Sequence, residues 1–232
     1  MATKTTGIML LAVCSALSNS AHAATVQASA SIENSKYFGG TNLTDHNITV
    51  SLASDWSFDQ GLFSGFECYT SNANIRLNLS SGCDIYVGYF TPLNNDQALT
   101  LQAKQHKYVH ARNSRWDFTE LDSIFHLDKR TNLSLSYTDD WLGRGFTAYS
   151  IGADTRRAIT GKLSGNMSLN LTNFDSSAAI SSIAVAKASL EYNIRRWTLS
   201  ASIIANDRDL ERMLPFPVQR PEFGLSVTYR LY

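Results

Sequence analysis

Alternation of apolar and polar residues dominates the chain. Leu163, Gly165, Met167, Leu169 and Leu171 interleave with Ser164, Asn166, Ser168, Asn170 and Thr172. Near the end, Phe223, Leu225, Val227, Tyr229 and Leu231 interleave with Gly224, Ser226, Thr228 and Arg230. A period of two puts each set on one face of a β-strand. The pattern predicts strands over 25–38, 47–56, 62–70, 83–91, 98–109, 116–127, 132–138, 146–155, 161–174 and 180–193. Another starts at Trp197, and the last covers 221–232. Ile75, Leu77 and Leu79 also alternate, inside a polar stretch read as a partly ordered loop.

Twelve strands is an even number, so both ends of the barrel domain fall on the same side. The connections sort by parity. Those after even strands are short (57–61, 92–96, 128–130, 156–160, 194–196), whereas long loops follow the first, third and eleventh strands. Short turns on one rim and longer loops on the other are the mark of an outer-membrane barrel. The expected fold is therefore all-β: an antiparallel transmembrane barrel of about twelve strands. A soluble periplasmic β-sandwich is the competing architecture.

Three further features refine this picture. Lys4, the apolar run 7–17 and Ala21-His22-Ala23 read as a secretory signal peptide over 1–23, leaving one domain at 24–232. The apolar run is too short to cross a bilayer as a helix. Loss of Lys4 from 20 basic and 20 acidic residues gives a mature net charge of −1. That balance argues against nucleic acid as a partner. Trp56, Trp116, Trp141 and Trp197 all fall at strand ends or in a loop, as expected of aromatics at the membrane–water interface.

Cys68 and Cys83 flank a polar segment and read either as a disulfide across a hairpin base or as two buried free thiols. Asp84, Lys104, Lys162, Lys187, Glu191 and Arg230 fall on the predicted inward face, so they are candidate lumen-lining residues. Their mixed signs predict weak ion selectivity.

No catalytic constellation emerges. His106 and His110 share a strand face but stand about 13 Å apart, too far for one metal. His46 and His126 are isolated, and there is no Gly-x-Ser-x-Gly. No enzyme activity, cofactor or metal is expected. Asp139-Asp140 fits an outer loop that is solvated or bound to lipopolysaccharide cations.

The segments Ser35-Lys36-Tyr37-Phe38-Gly39-Gly40-Thr41, Asp55-Trp56-Ser57, Cys83-Asp84-Ile85-Tyr86-Val87-Gly88-Tyr89 and Asp139-Asp140-Trp141-Leu142-Gly143 resemble the proteobacterial TorF-type porin family. The likeness spans most of the mature chain, with Cys83 standing where that family has an acidic residue. It implies an outer-membrane channel, without catalytic residues or an established substrate. Glu222-x-Gly224-x-x-Val227-x-Tyr229 resembles the assembly signal of outer-membrane barrels, with Gly224, Val227 and Tyr229 as its key positions. The functional expectation is a porin for passive diffusion of small hydrophilic solutes. The alternative is a structural or ligand-binding barrel without an open pore. Expected partners are outer-membrane lipids and lipopolysaccharide, the barrel assembly machinery and the solutes themselves.

Overall fold

The computed structural model describes residues 23–38, 41–44, 47–71, 79–110, 116–175, 181–207 and 221–231. The signal segment therefore lies outside the described residues up to position 22, as do His46 and Tyr232. In chain order the strands are β1 (Ala23–Glu33), β2 (Tyr37–Phe38), β3 (Thr41–Asn42), β4 (Thr49–Phe58), β5 (Leu62–Ser71), β6 (Leu79–Pro92) and β7 (Ala98–His110). They continue with β8 (Phe118–His126), β9 (Thr131–Thr138), β10 (Ala148–Ala158), β11 (Leu163–Phe174), β12 (Ser182–Ile194), β13 (Trp197–Asn206) and β14 (Glu222–Arg230). All but β2 and β3, a short hairpin of their own, form a closed antiparallel barrel in which β1 pairs with both β4 and β14.

The first predicted strand ran too far. β1 stops at Glu33, and the chain then turns into the separate β2–β3 hairpin. The fourth began too late: β6 starts at Leu79. Leu79, counted in the polar loop, therefore belongs to a barrel strand, while Ile75 and Leu77 lie outside the described residues.

The seam is closed by the strand that ends the pattern. Ser29 to Glu33 of β1 register against Arg230 to Ser226 of β14. Asn34 extends the seam: its backbone N–H donates to the Leu225 carbonyl at 3.0 Å, and the Leu225 N–H donates to its Oδ1 at 2.7 Å. A closed barrel leaves no unpaired edge.

Alternation sets the two faces. Ile32, Leu52, Ile85, Leu101, Leu121, Leu135, Ile151, Leu169, Leu190 and Leu225 all point outward and are exposed. In water such a band would be an aggregation liability. In a bilayer it is the lipid-facing surface of a transmembrane barrel.

The β5–β6 wall shows how inward rings are accommodated. Phe63 pairs with Gly88, Tyr86 with Gly65 and Tyr69 with Gly82. A Cβ on Gly82 would lie 2.6 Å from the Tyr69 ring, and one on Gly88 would lie 2.2 Å from Phe63 Cζ. These glycines let bulky rings lie flat on the neighbouring strand and keep the wall thin.

Candidate functional site: the barrel interior

The interior divides into two halves. At the long-loop end, Lys36, Phe38 and Leu43, from the segment between β1 and β4, lie inside the barrel instead of standing clear of it. The Lys36 ammonium donates to Glu67 and lies 3.6 Å from Glu33. Burial alone would lower the Lys36 pKa, but the carboxylates of Glu67 and Glu33 outweigh it and hold the value above lysine's ordinary range. Phe38 sets its ring edge-on to His106 and Phe118, at 5.1 and 5.2 Å between centroids. His106 stacks on Phe118 at 4.2 Å, and its Nδ1 lies 2.8 Å from the Asp84 carboxylate. Leu43, Trp116, Trp141 and Leu142 complete an apolar cluster above this point.

The interior towards the short-turn end is polar and open. Arg156 donates to Glu191 at 2.8 Å, and the Asn166 amide donates to the other oxygen of the same carboxylate, also at 2.8 Å. Lys104 lies 3.7 Å from Asp122, and the Tyr86 hydroxyl donates to Asp55. His126 shares hydrogen bonds with Thr100 and Asn132, at 2.8 and 2.7 Å. Asp55, Asp154, Arg156 and Arg230 are exposed to this space.

Between the two halves lies a partly enclosed cavity of about 280 Å³. Its lining comes from β8 to β13 and from the inward-folded β2.

The sequence-predicted residues fall into groups. Asp84, Lys104, Lys187, Glu191 and Arg230 sit on inward positions, as their register with neighbouring inward residues fixes. Lys162 does not: it lies exposed in the turn before β11. Trp56 and Trp197 are on outward positions near the short-turn rim, where Trp197 packs on Tyr229 at 4.6 Å. Trp116 and Trp141, expected at the outer lipid interface, are instead buried in the internal cluster at 2% and 5% exposure. Both lie in the mouth of the barrel, where an indole finds apolar neighbours without lipid. Arg144 lies over the Trp116 ring, 4.6 Å from its centroid.

Cys68 and Cys83 face each other in register across β5 and β6, on outward positions, and are joined by a disulfide. Gly224 points inward beside Ser202, while Val227 and Tyr229 point outward.

Several inward charges escaped sequence reading, among them Glu33, Asp55, Glu67, Glu120, Asp122, Asp154, Glu222 and Arg156. Strand parity was the available signal for most of them, once the register of β1, β5, β8 and β10 is known. Lys36 carried no such signal, because a loop delivers it. With these residues included, acidic side chains outnumber basic ones on the inward face among the described residues.

Comparison with known proteins finds likeness in structure only. No family model matches the sequence, and no curated protein matches it. Among solved structures, the NanC porin superposes with a TM-score of 0.59 at 11% identity, covering 88% of this chain and 98% of that one. The KdgM porin gives 0.53 at 11% identity, again covering 88% and 98%. KdgM in complex with disordered oligogalacturonate gives 0.51 at 10%, with the same coverage. At such identity the likeness establishes the fold, that of outer-membrane porin barrels.

Proposed function

We propose that this protein is an outer-membrane channel through which small hydrophilic solutes diffuse. One observation carries the reading: the barrel is apolar outside and charged inside, and its inward charges are open to solvent over the short-turn half. Lipid explains the first face and water the second. The reading fits the TorF-type resemblance of the sequence. Segment 1–23 would direct export, and the short turns would face the periplasm. The barrel assembly machinery would read Gly224, Val227 and Tyr229 on β14. Lipopolysaccharide would surround the long-loop rim.

The charge pattern narrows the solutes. Oligogalacturonate, the ligand of one KdgM complex, is a polyanion. Here the inward face is richer in carboxylates, which disfavours such a solute and favours a modest preference for cations. Liposome swelling tests the proposal. Vesicles carrying the purified protein are expected to swell in small neutral solutes at rates that fall with solute size. Rates equal to protein-free vesicles would refute it.

A second reading, a ligand-binding barrel without an open pore, is favoured by the cluster of Phe38, Leu43, Trp116, Trp141 and Leu142 in the mouth. It predicts no swelling together with tight retention of a ligand.

A further inference from the structure

The 280 Å³ cavity beneath the folded-in loop is the strongest unassigned feature. We infer that it is a binding chamber for a small uncharged polyhydroxylated solute, of one or two sugar rings. The inference rests on the channel reading and names the class of solute that pauses in transit.

Size is the first argument. At about 280 Å³ the chamber lies near the lower end of small-molecule sites, roughly 300–1,000 Å³. That suits a compact solute and excludes a folded chain or a lipid tail of any length.

The lining is the second. One wall is a ladder of hydroxyl and amide groups from β9, β10 and β11: Ser136, Ser150, Ser168, Asn170 and Thr172. Part of this ladder is already ordered. Ser150 and Thr172 share a hydrogen bond of 2.8 Å, and Thr172 donates to Asn170 Oδ1 at 3.2 Å. The Asn170 amide nitrogen is left as a donor. Ser136 and Ser168 make no side-chain hydrogen bond among the described residues, so both hydroxyls are available. Phe38 and Trp141 add aromatic surface to the same lining. Apolar rings beside hydroxyl and amide groups match a sugar, whose C–H face is apolar and whose edge is a ring of donors and acceptors.

Charge is the third. Glu120 and Lys187 both line the chamber. Among the described residues, no arginine fork lines it to hold a carboxylate or phosphate. Asp122 follows Glu120 on the same inward face of β8. Among the described lining residues an anion therefore finds a single ammonium, Lys187, and no second cation to share its charge. A neutral solute needs no ion partner from the lining.

The test uses the purified mature protein in detergent micelles and, separately, in planar bilayers. Maltose, glycine betaine and galacturonate are titrated while tryptophan fluorescence is followed, Trp141 being in the lining. Maltose is expected to give a saturable change in the millimolar range, with the other two giving none. Ser168→Val with Asn170→Leu removes two wall partners and is expected to weaken maltose about tenfold, with heat-modifiable gel mobility retained. Ser136→Ala, a milder change, is expected to weaken it about threefold should the double variant not fold. Saturation by betaine or galacturonate with none by maltose would overturn the inference, as would a maltose response that neither variant alters. Conductance steps without any maltose response would overturn the chamber and leave the channel. A maltose response without conductance would do the reverse.

Discussion

Replacing Leu169 with arginine puts the assignment of faces to a quantitative test. Leu169 sits midway along β11, in register with Ala153 and Ala186, and is 59% exposed on the outward side. Burying a whole leucine is worth about 1.5–3 kcal/mol. The part of Leu169 that lipid covers is then worth roughly 1–2 kcal/mol. An arginine at the bilayer midplane adds about 2–4 kcal/mol of its own. Leu169→Arg should therefore destabilise the folded barrel by roughly 3–6 kcal/mol. Ser200→Arg is the control. Ser200 points inward on β13, directly opposite Glu191, so the new charge meets water and a carboxylate. Its effect should stay within about 1 kcal/mol. Urea titration of both variants refolded into lipid vesicles, followed by tryptophan fluorescence, measures the difference. Equal effects from the two substitutions, or a loss below about 1 kcal/mol for Leu169→Arg, would refute the claim that this band faces lipid.

Further predictions test local features. Cys68→Ser with Cys83→Ser opens a 15-residue loop and should lower stability by up to about 3 kcal/mol, read as an earlier urea midpoint without a change in barrel secondary structure. Lys36→Ala leaves Glu33 and Glu67 facing each other and frees the inward loop. Because the Glu67 side chain is 38% exposed, the loss should be about 1–3 kcal/mol, less than for a fully buried pair, and single-channel steps should grow. The raised Lys36 pKa means this tether is fully present below lysine's ordinary value of 10.5 and is lost only as pH rises through the higher folded value. Steps of the unsubstituted protein should thus be steady from neutral pH to about pH 10. Asp128 works in the opposite sense. Backbone N–H groups of Arg130 and Thr131 donate to it at 2.6 and 2.8 Å and hold its carboxyl below the ordinary 3.8. Its contribution is present above that value and fades as pH falls through the folded one. Asp128→Asn, which keeps the acceptor, should flatten the acid limb of the stability curve.

The barrel itself was legible because alternation in a strand with two solvents is a strong signal. β11 and β14 show it at nearly every position, and lipid on one side with water on the other allows few exceptions. An even strand count then pointed to closure, which the pairing of β1 with β14 completes. The interior was harder to read. A tryptophan at a strand end looks the same in sequence whether it meets lipid or folds inward, so Trp116 and Trp141 were misplaced. Lys162 lies one residue before β11, where parity no longer fixes direction. The acidic bias was hidden in strands whose register only pairing defines, such as Glu67 opposite Asp84. Lys36 and Phe38 act from a loop, and a loop's path depends on what it packs against, here Glu67 and the rings of His106 and Phe118.

Single-channel recording in a planar bilayer tests the central claim most directly. The purified, heat-modifiable barrel should give discrete conductance steps, and under a potassium chloride gradient its reversal potential should show a modest preference for potassium. A preparation shown to be folded that gives no steps would contradict the account.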